Sequence, residues 1–330
     1  MRYLVEGSVR KSSNCVRVTA QLLEGETGVH IWAAKFDRSL DDIFAVQDEI
    51  TQAIVGAVAP ETLNAETRRA RSKRTESLTV WDKIIRARWH LGKYNSSNCS
   101  ESRKLLSDAS MIELENSEVQ AALAHCDLMA MLHIWRTDTT EAITAAKRAA
   151  QEAVEFNGSN ANAHAMLGMA DMFAREFESS EFHLQRAIAL NPNLAVGYGN
   201  FAAYHGIAGA YEPARAAFEQ AIALSPRDPL KAFWRGGYGI AAFVSGRYEM
   251  CVQNAQDGLR ETPGYASLMR QEASDLAMLG RKDEAARSVS DLLEKMPGLT
   301  VAKVRKIVPV REPEAWERWL DALHKAGLPQ

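Results

Sequence analysis

Two stretches decide the fold: Leu184-Gln185-Arg186-Ala187-Ile188-Ala189-Leu190-Asn191-Pro192 and, one period further on, Phe218-Glu219-Gln220-Ala221-Ile222-Ala223-Leu224-Ser225-Pro226. Each reads as the last turns of an amphipathic helix, stopped by a proline that cannot continue it. Self-similarity at a fixed period such as that from Pro192 to Pro226 marks a solenoid built from one repeated supersecondary unit.

The repeat extends both ways. Pro192, Pro226, Pro263 and Pro297 recur at a constant interval, widened by three positions only between Pro226 and Pro263. Four turns align with them: Ala174-Arg175-Glu176-Phe177-Glu178, Ala208-Gly209-Ala210-Tyr211-Glu212, Ser245-Gly246-Arg247-Tyr248-Glu249 and Leu279-Gly280-Arg281-Lys282-Asp283. Three carry a glycine, which suits a left-handed residue at a helix end. Small residues recur at one place on the first helix of each unit (Gly168, Ala202, Gly239, Ala273) and at one place on the second (Ser180, Ala214, Cys251, Ala285). Two antiparallel helices with a short turn approach closely only where both carry small side chains. Leu167, Phe201, Tyr238, Leu184 and Phe218 fill the space beside them.

These residues resemble the tetratricopeptide repeat (TPR). The expected architecture is mostly α: a TPR helical solenoid over 81–300, with clear repeats at 161–297 and degenerate ones at 81–158. A capping helix over 301–330, amphipathic at Pro313-Glu314-Ala315-Trp316-Glu317-Arg318-Trp319-Leu320, is expected to cover the last repeat. Two departures stand out. The third clear unit has three extra residues near Arg227-Asp228-Pro229, which should alter the superhelical step. The fourth places Glu272 where a large apolar residue is usual.

The segment 1–60 is different. Val16-Arg17-Val18-Thr19-Ala20-Gln21-Leu22-Leu23 alternates with the period of a half-buried strand. Tyr3–Val9 and His30–Phe36 flank it across turn clusters at Lys11–Asn14 and Gly25–Gly28, giving a three-stranded meander. A capping box at Ser39-Leu40-Asp41-Asp42 opens a helix from about 40 to 58, with Ile43, Val46, Ile50, Ile54 and Val58 on one face. This small partial α/β segment leaves one sheet edge uncovered, an aggregation liability, and reads as the later half of a domain. The stretch 61–80 forms a polar linker or helical extension. Its five basic residues within Arg68–Arg74 read as a solvated stretch, given the acidic residues nearby.

The whole chain also resembles a known combination. Arg2-Tyr3-Leu4-Val5-Glu6-Gly7-Ser8-Val9-Arg10-Lys11, Val18–Leu22, Thr27–Trp32, Phe36-Asp37-Arg38 and Asp42–Ile50 look like the later half of a TolB-like amino-terminal domain. Followed by TPRs and ending Lys325-Ala326-Gly327-Leu328-Pro329, they resemble the carboxy-terminal half of bacterial class III adenylate/guanylate cyclases. Similar halves follow winged-helix transcription regulators. The resemblance implies an effector domain upstream, and Met1 as a valine codon read as a start.

Composition bounds the function. The 330 residues are 46% apolar and 25% charged, with a net charge of −3. That excludes a disordered chain and a strongly basic nucleic-acid binder. No apolar run is long enough to span a membrane. Cys15, Cys99, Cys126 and Cys251 are scattered in sequence and form no CxxC pair, which points to a reducing cytoplasm. No catalytic residue, cofactor or metal is expected. The cyclase metal-binding sheet has no counterpart after residue 60. Asp37, Asp41, Asp42 and Asp48 read as helix-start or solvent charges. Gly197-Tyr198-Gly199-Asn200-Phe201-Ala202 fits a loose dinucleotide pattern but lacks the preceding strand. His125, Cys126 and His133 lack the further ligands of a tetrahedral site.

The remaining chemistry is recognition. On TPR geometry the first helix of each pair lines the concave face. That assigns Met169, Met172 and Phe173, then Ala203 and Ile207, then Phe233, Ile240 and Phe243, and finally Met278 to a partner-binding groove. Such an apolar, methionine-rich lining suits a protein or peptide partner, such as an amphipathic helix or the chain's own upstream effector. The other reading is ordinary core, buried by tight coiling or by the terminal cap. TPRs that clamp a chaperone's carboxylate tail use lysine and asparagine where Ala165, Met169, Gly199 and Ala203 stand here. If the groove is open, Phe243→Asp or Met172→Asp should abolish capture without lowering the melting temperature much. The expected product is a non-catalytic interaction module, the regulatory or sensing half of a cyclase-like signalling protein; the alternatives are a fragment of a full class III cyclase or of a winged-helix transcription regulator whose effector domain lies upstream.

Overall fold

The computed structural model describes residues 2–12, 15–39, 43–73, 78–135, 138–226 and 228–330. Three antiparallel strands, β1 (Tyr3–Ser12), β2 (Cys15–Glu24) and β3 (His30–Ser39), form a sheet in the order β1-β2-β3. The register runs from Tyr3 opposite Glu24 to Ser12 opposite Cys15, and from Cys15 opposite Ser39 to Leu22 opposite Trp32, with an irregularity at Leu22/Leu23. Alternation decides the buried face: Val16, Ala20 and Leu22 of β2 are buried. The helix α1 (Ile43–Ser72) packs on β3 and β2. β1 is exposed along its length apart from Tyr3. The helix start expected at Ser39-Leu40-Asp41-Asp42 and the side chain of Asp48 lie outside the described residues. Asp37 is an exposed strand charge, paired across the sheet with Arg17 at 2.6 Å.

Much of the expected linker is helix. α1 continues to Ser72, because Glu61–Ser72 is rich in alanine, glutamate and arginine, all good helix formers. Glu66 ties it to both neighbours. Its carboxylate accepts from Tyr3 (2.6 Å), Arg2 (3.0 Å) and Trp81 (3.3 Å). Burial alone would raise this carboxyl, but the bonds from Tyr3 and Arg2 outweigh it and hold it below its usual range.

Six helix pairs follow among the described residues. They are α2 (Val80–Leu91) with α3 (Ser96–Ile112), α4 (Ser117–Leu132) with α5 (Thr139–Phe156), and α6 (Ala161–Phe173) with α7 (Phe177–Leu190). Next come α8 (Ala195–Ile207) with α9 (Tyr211–Leu224), α10 (Lys231–Val244) with α11 (Tyr248–Glu261), and α12 (Ala266–Met278) with α13 (Lys282–Lys295). Among the described residues, each turn within a pair has one residue at positive φ: Tyr94, Ile134, Arg175, Gly209, Gly246 and Gly280. In the last five, the next N–H closes back on a carbonyl five residues earlier, as in Glu176 to Asp171 and Arg247 to Ala242, both 2.9 Å. This is the Schellman closure, and it holds even where the left-handed residue is not glycine.

The small residues meet as their spacing requires. Ser180 Oγ donates to the Gly168 carbonyl at 2.7 Å, and Cys251 Sγ approaches the Gly239 carbonyl at 3.3 Å. Glu272, the apparent misfit, accepts from Gln256 (3.0 Å) and Ser288 (2.9 Å), a polar bridge where other units use apolar contact. Between α8 and α10 the backbones touch. A Cβ on Gly206 or Gly237 would strike the opposite backbone, and one on Gly199 would enter the Trp234 ring.

The C-terminus departs from a simple cap on the last repeat. Two helices, α14 (Val301–Ile307) and α15 (Pro313–Lys325), flank a strap that folds back over the inner ends of α8, α10 and α12. Arg311 N–H donates to the Ile207 carbonyl at 3.0 Å, and Trp319 Nε1–H donates to Ser274 Oγ at 2.8 Å. The Arg311 guanidinium stands 4.7 Å from the Phe177 ring centre, and that of Arg318 stands 5.7 Å from the Phe243 ring centre.

Candidate partner-binding cavity

The structure gathers the nine residues assigned to the groove, but into the core. Met169, Met172, Phe173, Ala203, Ile207, Phe233 and Phe243 are buried, and Ile240 and Met278 are half-buried against them. Two causes are visible. The glycine contact draws α8 and α10 together, and the segment 308–328 lies over what remains of this face.

The open part of the inner surface lies one to two turns earlier on the same helices. A cavity of about 1340 Å³ is bounded by Asn64 of α1, Trp81 and Arg88 of α2, Glu118, His125 and Met129 of α4, Asn162 and Met166 of α6, and Val196 of α8. Asp228, Pro229 and Leu230 close one side. This is the segment with three extra residues. It reaches across the coil to the first pair, where the Tyr94 hydroxyl donates to the Pro229 carbonyl.

Helix starts supply much of the polar wall. Asn116 and Asn160 are N-caps of α4 and α6, and their side-chain oxygens accept from Val119 N–H and Ala163 N–H at 3.0 and 3.1 Å. Asn160 Nδ2 also reaches Glu118 at 2.9 Å, and Glu118 holds Arg88 at 2.8 Å. The Arg88 charge on this wall is therefore compensated. His125 is pushed down to about 4 by burial and by the Arg88 charge, so it is neutral at pH 7, and its Nε2 has no hydrogen-bond partner. Burial pushes the Asp228 carboxyl up, against the pull of the Leu230 N–H, Ser225 and Arg88. Amides, a neutral imidazole, a satisfied ion pair and apolar side chains line this cavity.

The residues weighed as metal ligands face different surroundings. His125 borders the cavity. Cys126 packs on Cys99 with sulfurs 3.7 Å apart, so two thiols distant in sequence are neighbours in the fold. His133 stacks on Trp135. No group of three potential ligands assembles among the described residues. Gly197–Ala202 lies inside α8, so the loose dinucleotide pattern is helix. No helix among the described residues is long and apolar enough to cross a membrane.

Sequence reasoning missed Arg88, Glu118, Asn160, Tyr94 and Asp228. The asparagines just ahead of successive helices were a readable capping signal. The contact of Tyr94 with Pro229 joins units far apart in the chain and has no periodic signature.

No family model matches the chain. A curated relative, "Putative adenylate cyclase 3" of Rhizobium meliloti (strain 1021), is 34% identical over 181 residues, which is 55% of this chain and 31% of the relative. The chain thus spans about a third of that relative's length. Among solved structures, a chain of the APC/C hetero-tetramer Cut9–Hcn1 matches with a TM-score of 0.53 at 15% identity, covering 83% of this chain and 47% of that one. A thermophilic TPR protein of Thermus thermophilus matches at a TM-score of 0.44 and 16% identity, covering 61% of this chain and 99% of its own. The fold is a TPR helical solenoid preceded by a three-stranded sheet. The likeness to a cyclase, expected from the amino-terminal segment and the repeats together, has its counterpart in the curated relative.

Proposed function

We propose that this chain is a non-catalytic protein-interaction module, the regulatory half of a cyclase-like signalling protein acting in the cytoplasm, and that it holds an extended segment of its partner in the cavity. The observation that carries the reading is the cavity itself. At about 1340 Å³ it exceeds the range of about 300–1,000 Å³ usual for small-molecule sites. Its wall alternates amides with apolar side chains. Amides can pair with the N–H and C=O groups of an extended chain, while the exposed Trp81 ring and the half-buried Val196 offer apolar surface to its side chains. The partner segment comes from another protein or from the effector domain of the same signalling protein. The similarity to a putative adenylate cyclase supports the latter.

The test is selection of peptides on the full chain from a phage-displayed random library, followed by calorimetry. Asn64→Arg and Asn162→Arg place long charged side chains in the cavity from an exposed and a half-buried position. Selected peptides should bind one to one and lose at least tenfold in affinity to both variants. Peptides that bind the variants as well as the parent would place recognition elsewhere. The chain incubated with ATP or GTP and Mg²⁺ or Mn²⁺ should form no cyclic nucleotide. Turnover would overturn the non-catalytic reading.

A further inference from the structure

Cys99 and Cys126 are 6% and 1% exposed, and their sulfurs stand 3.7 Å apart between α3 and α4. The repeat accounts for only one of them. Cys99 is the fourth residue of α3, the place that Ser180, Ala214, Cys251 and Ala285 hold on α7, α9, α11 and α13, where a small side chain lets two helices approach. Cys126 is the tenth residue of α4, and Ala170, Tyr204 and Asp275 hold that place on α6, α8 and α12. Close packing therefore asks for a small residue at 99 and sets no residue type at 126. A thiol facing a thiol here is not something the repeat requires.

The pair is close in its backbone as well as at its tips. Cys99 Sγ lies 3.8 Å from the Cys126 carbonyl oxygen, and Cys126 Sγ lies 3.6 Å from that of Cys99. A disulfide needs its sulfurs at about 2.05 Å, so the two must approach by roughly 1.7 Å. Contact with Cys99 and burial push the Cys126 thiol up, so the resting pair is protonated, while the Arg103 charge pulls the other way. Cys251 is the comparison within the molecule. It holds the same place as Cys99 and is as deeply buried, but its sulfur faces the Gly239 carbonyl at 3.3 Å.

We propose that Cys99 and Cys126 form a redox site, at which a peroxide oxidises the two thiols to a disulfide that fixes α3 against α4. One sulfur attacks the O–O bond and becomes a sulfenic acid, releasing one water. The other sulfur then displaces the sulfenic oxygen as a second water, and the S–S bond forms. Two S–H bonds are lost, and two electrons and two protons pass to the peroxide. A thiol reductant reverses the change. In a reducing compartment such a pair serves as a reversible sensor rather than a permanent staple. The bond would tie the first helix pair to the second, and α4 carries Glu118, His125 and Met129 of the cavity wall. The redox site stands whether or not the cavity holds a peptide.

The test is hydrogen peroxide treatment of the folded full chain carrying Cys15→Ser, which removes the exposed thiol of β2. Alkylation in denaturant and peptide mass spectrometry then read each remaining cysteine. Cys99 and Cys126 should be joined to each other within one chain, Cys251 should be alkylated, and dithiothreitol should restore all three thiols. The oxidised protein should melt at a higher temperature than the reduced one, because a bond across 27 positions restricts the unfolded chain. Cys126→Ser in the same background should show neither the link nor the rise, and the measurements on its parent do not depend on that variant folding. Cys99 and Cys126 alkylated as fully as Cys251, oxidised to sulfinic or sulfonic acids, or joined between chains would overturn the site. A link that lowers the melting temperature would show that α3 and α4 must part to form it, and overturns it as well.

Discussion

Replacing Gly206 by alanine tests the contact that sets the coil of the repeats. A methyl at 206 would stand 2.7 Å from the carbonyl carbon of Gly237 and closer still to its oxygen. Carbon atoms pack well at about 3.5 Å or more, so α8 and α10 must part by roughly 1 Å. The atoms met are backbone, so no rotamer change relieves the clash. Overpacking of this kind costs about 1–3 kcal/mol, and a backbone-to-backbone contact belongs at the upper end. Against it stands a gain of about 1 kcal/mol for alanine over glycine in a helix. The expected net loss is about 2 kcal/mol. Parting the helices also uncovers the fully buried Trp234, so its fluorescence should shift to longer wavelength before global unfolding. The control is Gly197→Ala in the same helix. There a methyl meets Ile188 at 3.4 Å, ordinary contact, and stability should be unchanged or rise by up to about 1 kcal/mol. Urea midpoints followed by tryptophan fluorescence compare the two. A Gly206→Ala protein as stable as Gly197→Ala would refute the claim that these glycines fix the close approach.

Phe243→Asp should cost about 3–5 kcal/mol, read as a lost or strongly lowered melting transition, because the ring is 2% exposed under Arg318; the open-groove reading of the sequence requires the melting temperature to hold. His133 has a folded-state value of about 3, below its ordinary 6.5, so its contribution is present above pH 6.5 and lost as pH falls toward 3. Relative to His133→Gln, the parent should lose about 1.4 kcal/mol per pH unit between pH 6 and 4, and parallel urea-midpoint profiles would remove this assignment. Asp275 is raised well above its usual range by burial, so its contribution is present below about pH 4 and lost as pH rises. Asp275→Asn should therefore raise the melting temperature at pH 7.5 and leave it unchanged near pH 3.8, and equal effects at both would show that the carboxyl is not buried in the neutral form.

Local packing was legible because it repeats. Gly168 against Ser180 and Gly239 against Cys251 were visible as small residues at fixed offsets, and each pair meets as that spacing implies. The meander was legible through its period of two, with Val16, Ala20 and Leu22 on the buried face. The helix after it was read too short, since the apolar stripe ends near Val58 while alanine and arginine carry the helix on to Ser72. The residues assigned to the groove lie on the helices as expected but are covered in the fold. Met169, Met172, Ile207 and Phe243 are apolar on the inner face, as read, yet apolar character alone cannot distinguish a surface that waits for a partner from one already covered.

What separates the two is closure, and closure depends on contacts between units that are not neighbours. A repeat signal reports only how one pair sits on the next. Here Pro229 meets Tyr94, four units back, and Arg311 of the strap meets Ile207. The first contact bounds the cavity, and the second covers the apolar end of the same face. Glycines at 206 and 237 let the intervening helices come close enough for both. The inner surface is thereby divided into a filled apolar half and an open half walled by amides, and the proposed partner segment is placed at the helix starts around Asn160 and Glu118. A departure from the repeat, rather than the repeat itself, shapes the cavity.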